Sequence, residues 1–171
     1  MLRGLGIEFT VKTGNVDESH EEQVDPKELV LTLAKKKAEG IDFAEGDVIL
    51  SADTVVALGD TVLEKPKDRV DAKRMLSALS GRAHTVYTGY CIKSFEKSIC
   101  GVGSASVFMR ELSEEEIEWY LDTLEWSDKA GGYGIQSLGC TLVEKIEGDY
   151  NSVVGLPLGQ VVRILRDMGA I

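Results

Sequence analysis

Apolar and polar positions change period several times along the chain, and each change predicts an element. Ile7-Glu-Phe-Thr-Val11 alternates with the two-residue period of a strand, and Gly14 to Glu22 is a polar loop. Asp25 then opens a helix. Pro26 suits the first helical position, Asp25-x-x-Glu28 is a capping pattern, and the element runs to Glu39-Gly40. Leu29, Val30, Leu33 and Ala34 form its apolar stripe, and Lys37 falls in the centre of that stripe, where a lysine either snorkels from the helix end or serves a cleft. Val48–Ala57 is a β-branched apolar run that turns at Gly59-Asp60 and returns through Thr61-Val62-Leu63 as a hairpin. A second helix starts at Asp68, with Ala72, Met75, Leu76 and Leu79 on one face and a stop at Ser80-Gly81. His84–Lys93 and Ile99–Met109 form a second hairpin pattern. Ser113-x-x-Glu116 is a capping box before a third helix with Ile117, Tyr120, Leu121 and Leu124 on its apolar side. A Gly-rich loop, a short strand around Thr141–Ile146 and a helix after Pro157 follow. Helices interspersed with hairpins predict an α/β or α+β architecture with a mixed sheet.

Asp53 is the anomaly in this pattern. It sits inside Val48-Ile-Leu-Ser-Ala-Asp-Thr-Val-Val56, where an unpaired buried carboxylate would cost several kcal/mol, so it must meet a metal, a cation or water at a strand's end. The bland alternative is an Asp that caps a strand or turn.

Composition narrows the classes. At 171 residues and 43% hydrophobic, with no linker-like tract, the chain can bury one core, which predicts a single domain over 1–171. There is no signal-peptide pattern and no apolar run near the length of a membrane span, so a cytoplasmic protein without membrane contact is expected. The formal charge of −10, with no basic cluster beyond Lys35-Lys36-Lys37, speaks against nucleic acid as a partner. Cys91, Cys100 and Cys140 are odd in number and widely spaced, which argues against a disulfide framework or a zinc site and for small buried hydrophobes.

The candidate polar groups are Glu18, Lys37, Asp53, Thr54, Lys65, Arg82, His84, Lys129 and Gln136, all but Lys37 expected in loops or at element ends. Two carboxylates among several lysines, without a His or Cys cluster, suit a hard divalent cation such as Mg2+ or Mn2+ beside a phosphate chain. That combination points to phosphoryl or nucleotidyl chemistry. An aspartyl-phosphate mechanism would want a second Asp two residues beyond Asp53, where Val55 stands, and neither a P-loop nor a nucleophile-elbow motif is present.

Five ordered blocks carry a family resemblance: Ser51-Ala-Asp-Thr-Val-Val56, Glu64-Lys65-Pro66, Leu79-Ser-Gly-Arg-Ala-His-Thr-Val-Tyr-Thr-Gly89, Asp128-Lys-Ala-Gly-Gly-Tyr-Gly-Ile-Gln136 and Ile146-Glu-Gly-Asp-Tyr-Asn-Ser-Val-Val-Gly-Leu-Pro157. Together they resemble the Maf family of nucleotide pyrophosphatases. The resemblance implies one α/β domain with an elongated, curved mixed sheet flanked by helices, like that of inosine-triphosphate pyrophosphatases. It also implies metal-dependent hydrolysis of nucleoside triphosphates to monophosphate and pyrophosphate, by a homodimer.

Residue by residue, the resemblance makes Asp53 the catalytic acceptor and a metal ligand together with Glu18, and makes Lys37 and Lys65 phosphate-neutralising groups. Thr54 and Gln136 match positions of the branch that prefers dTTP and UTP. Arg82, His84 and Lys129 lie in family blocks without an assigned contact. Family members begin with a short strand and an S-x-S-P-R-R loop, whereas this chain opens at Met1-Leu-Arg-Gly-Leu-Gly6, which implies N-terminal truncation relative to the family. The alternative function is a catalytically weak nucleotide-binding regulator linked to septum formation.

Overall fold

The computed structural model describes residues 1–14, 16 and 24–171. The first long helix, α1 (Pro26–Glu39), begins as the sequence predicts, with the Asp25 carboxylate accepting from the backbone N–H groups of Lys27 and Glu28. Strands β1 (Ile49–Leu58) and β2 (Thr61–Leu63) form the first hairpin. Helix α2 (Arg69–Leu79), capped by Asp68, leads to the second hairpin, β3 (Ala83–Lys93) and β4 (Ser98–Met109). Helix α3 (Glu114–Asp122) has both bonds of its Ser113/Glu116 capping box. Short 3-10 turns then lead to β5 (Val143–Gly148), α4 (Tyr150–Val154) and α5 (Leu158–Asp167).

The sheet order is β2-β1-β3-β4-β5, and every described pairing is antiparallel. This corrects the mixed sheet expected from the sequence. A parallel pair needs a crossover that carries the chain back to the end where the previous strand began. Here β2 is only three residues long, so the chain leaves the hairpin near the end where β1 finished, and α2 delivers it to the start of β3 at that same end. Likewise α3 and the turns after it bring Val143 opposite Met109, the last residue of β4.

Helix α1 covers one face of the sheet, with Leu29, Val30 and Leu33 packed against Val55 and Tyr87. The opposite face carries two apolar clusters. One joins Met75, Leu76 and Leu79 of α2 to Val86, Val107, Tyr120 and Leu121, and the other joins Tyr90 and Ile92 to Val161 and Leu165 of α5. Helix α1 approaches β3 closely because position 89 has no side chain: a Cβ there would collide with the Val30 carbonyl group.

Two further expectations are corrected. Ile7–Val11 is not a strand; Phe9 and Val11 are exposed, and alternation without a partner strand does not make one. Cys91 and Cys100, read as buried hydrophobes, face each other across the β3–β4 hairpin with Cα atoms 4.1 Å apart and form a disulfide, while Cys140 is free and exposed. Hairpin register, invisible in the cysteine count, brings them together.

Candidate active site

Asp53 lies in the middle of β1, not at its end. Successive β1 side chains point to opposite faces. Ser51, Asp53 and Val55 face α1, where Ser51 Oγ donates to the Ala34 carbonyl at 2.6 Å and Lys37 Nζ donates to Asp53 Oδ1 at 2.5 Å. Ala52, Thr54 and Val56 face the other way, and Thr54 Oγ1 is 2.7 Å from Thr88 Oγ1. Because β2 pairs with β1 only from Val56 to Leu58, residues 49–55 have no strand neighbour on that side among the described residues. Groups from both faces therefore reach one space beside that edge.

That space is a cavity of about 470 Å3, a volume within the range of small-molecule sites. Six of the nine sequence candidates line it: Lys37, Asp53, Thr54, Lys65, Lys129 and Gln136. A second cavity, of about 640 Å3, meets the first at Lys37 and Ala52 and is walled by residues 8–14 and 47–51. The Lys37 ammonium thus stands between two hollows, in contact with Asp53, and does not snorkel away from the sheet.

Gln136 and Lys129 are carried by a loop that the sequence pattern could only describe as Gly-rich. Gly131 adopts φ +70° and lies against Val56, and its N–H donates to the Glu64 carbonyl at 3.1 Å, which docks the loop beside Lys65-Pro66. Tyr120 Oη accepts from the Gly134 N–H at 3.0 Å, and the Glu125 carboxylate accepts from the N–H groups of Leu138 and Gly139. The Ser137 side chain and these amides hold the Glu125 carboxyl below the usual carboxylate range. Lys129 Nζ lies 2.5 Å from Asp128 Oδ1, and that hydrogen bond lowers the Asp128 carboxyl as well.

Arg82 and His84 do not line the cavity. Arg82 is exposed at the α2–β3 turn, with Nη1 directed at the Ala78 carbonyl. His84 is buried, its Nε2 sharing a 2.7 Å hydrogen bond with the hydroxyl of Tyr133, which does line the cavity. Desolvation pushes the His84 imidazole down to about 4 and the Tyr133 hydroxyl upward, so both are neutral near pH 7. Glu18 lies outside the described residues.

Glu125, Asp128, Tyr133, Ile135 and Gly155 line the cavity without having been singled out from the sequence. The motif blocks Asp128–Gln136 and Ile146–Pro157 contain four of them. Glu125 had no such signal, since its function in the fold is to accept from backbone groups thirteen and fourteen residues later.

Among the described residues no three His, Cys, Asp or Glu side chains group as a metal-holding set. The donor chemistry nonetheless fits a hard cation. Asp53, bonded to Lys37 through Oδ1, is a carboxylate at the cavity wall, and Mg2+ is commonly held by one or two carboxylates with substrate phosphates completing its shell.

The family model described as Maf-like protein matches residues 1–168. The chain is 48% identical over 163 residues to a dTTP/UTP pyrophosphatase of Pyrococcus furiosus, covering 94% of this chain and 85% of that protein. It is 48% identical over 171 residues to a dTTP/UTP pyrophosphatase of Thermosipho africanus, covering 100% and 88%. A protein of the same name from Deinococcus radiodurans is 43% identical over 171 residues, covering 99% and 87%.

Proposed function

The chain belongs to the family of Maf-like proteins, and we propose that it hydrolyses dTTP and UTP to the nucleoside monophosphate and pyrophosphate. The observation that carries this reading is the convergence of Asp53, three lysines, Thr54 and Gln136 on one cavity.

In the reaction, water attacks the α-phosphorus, the bond from that phosphorus to the bridging oxygen breaks, and pyrophosphate leaves. Asp53 is the group that takes the proton of the attacking water. Lys37, Lys65 and Lys129 neutralise the charge that gathers on the phosphates as the bond breaks. Lys129 does so by exchanging Asp128 for a phosphate oxygen, a shift its exposed side chain can make. Gln136 offers a carbonyl and an N–H side by side, the complement of the carbonyl and N–H of a thymine or uracil ring. Asp53 and Glu18 would hold Mg2+ or Mn2+, which would supply Lewis-acid polarisation of the phosphates.

Among the described residues no helix is long and apolar enough to cross a membrane, and a cytoplasmic location is carried from the sequence reading. A homodimer and one Maf-like domain over 1–171 are carried from the sequence resemblance, and sedimentation tests the dimer.

The test is pyrophosphate release from dTTP, UTP, dCTP and GTP with Mg2+ and with Mn2+. Release from dTTP and UTP in preference to the others is expected. Binding of dTTP without release would instead make the chain a nucleotide-binding regulator.

A further inference from the structure

Behind the cavity wall lies a short chain of hydroxyl groups. Thr54 Oγ1 is 2.7 Å from Thr88 Oγ1, and Thr88 Oγ1 is 2.7 Å from the Ser152 carbonyl of α4. Thr88 and Ser152 are both fully buried. A carbonyl only accepts, and a hydroxyl carries one proton. Thr88 therefore gives its proton to Ser152, and the contact between the two threonines exists as a hydrogen bond only if Thr54 donates to Thr88. Toward the cavity Thr54 then presents lone pairs alone.

We infer that Thr88 is a specificity-determining positioning residue: by fixing Thr54 as an acceptor, it selects bases that present a ring N–H, as thymine and uracil do, over cytosine. This inference rests on the pyrimidine nucleotide reading given above. Gln136 cannot make the distinction by itself. It is exposed, and half a turn of its amide exchanges the carbonyl and the NH2, so that it matches the C4 carbonyl and N3–H of an imide or the amino group and bare N3 of cytosine equally well. Thr54 has no such freedom, because its one proton is committed to a buried partner. Against an imide its lone pairs share the N3–H with the Gln136 carbonyl in a bifurcated hydrogen bond; against cytosine they face the lone pair of N3, an uncompensated pairing that costs binding.

The fold tolerates a direct test. The Ser152 carbonyl also accepts from the Gly155 N–H at 3.2 Å, so removing the Thr88 hydroxyl does not orphan it. The values of kcat/KM for dTTP and dCTP are measured for the unmodified protein and for Thr88→Val, Thr88→Ser, Thr54→Val and the double valine variant. The dTTP/dCTP ratio is expected to fall roughly three- to tenfold in Thr88→Val and in Thr54→Val, to persist in Thr88→Ser, and to fall no further in the double variant.

An unchanged ratio in Thr54→Val or Thr88→Val, with or without a lower melting temperature, overturns the inference. So does a loss in Thr88→Ser equal to that in Thr88→Val, because methyl packing would then explain both. Failure of the unmodified protein to cleave dTTP overturns the pyrimidine reading itself, and is distinguished by occurring before any substitution.

Discussion

Lys37 Nζ and Asp53 Oδ1 are 2.5 Å apart, joining the centre of the apolar stripe of α1 to the centre of β1, with the ammonium side chain 29% exposed and the carboxylate 13% exposed. A cation is rarely placed on the buried face of a helix without a task there. Lys37→Met keeps the stem and removes the charge. It is expected to lower kcat/KM for dTTP on the order of a hundredfold, the scale for losing one stabilising donor at a phosphate. Steady-state kinetics check this, and an undiminished value would mean that Lys37 serves only the fold.

Gly89 pairs with Asp53 in the sheet and lies beneath Val30 of α1. Gly89→Ala must push the helix away from the strand, since the added carbon collides with backbone rather than with a movable side chain. A loss of about 1–3 kcal/mol in unfolding free energy is expected, together with lower activity because Lys37 rides on the same helix. A chemical denaturation curve coinciding with that of the unmodified protein would contradict the close packing of α1 on β3.

His84 makes a pH-dependent contribution of known sign. Burial favours its neutral form, so the folded protein takes up this proton only near pH 4, while the unfolded chain takes it up near 6.5. Its contribution is fully present above about pH 6.5 and is lost as pH falls toward 4, in total by about 3 kcal/mol. Its Nδ1 is buried without a hydrogen-bond partner among the described residues, so no acceptor waits to stabilise the charged ring. Comparing urea midpoints at about pH 7 and about pH 4.5, His84→Gln is expected to lose about 2 kcal/mol less than the unmodified protein on acidification. Equal losses would assign the acid sensitivity to other groups.

In the proposed reaction Gln136 reads the base and moves no proton. Gln136→Leu is expected to raise KM for dTTP about tenfold while kcat changes little. A fall in kcat with an unchanged KM would show that Gln136 acts on the reacting phosphate.

Much of this arrangement was legible in the residues. Asp25, Pro26, Asp68 and Ser113 mark helix starts by local chemistry, which acts within a few residues and so survives in the sequence, and each stands where it was read. Asp53 and Lys37 were visible as charges in apolar surroundings. Sheet direction was not legible, because the length of β2 and the side on which α2 returns are set by tertiary packing. The Cys91–Cys100 bond was hidden in the β3–β4 register, and the Ile7–Val11 alternation misled because a strand also needs a neighbour. The Thr88–Ser152 contact spans 64 residues and has no local pattern at all.

Pyrophosphate release by Asp53→Asn is the measurement that bears most directly on the chemistry assigned to the cavity. The substitution keeps the shape of the side chain and removes its charge and its capacity to take a proton. With folding intact by circular dichroism and dTTP and divalent metal present, turnover is expected to fall at least a hundredfold, in line with the loss of a general base. Undiminished turnover in the folded variant would mean that Asp53 is a structural partner of Lys37 and that the reaction, if it occurs, is carried out elsewhere.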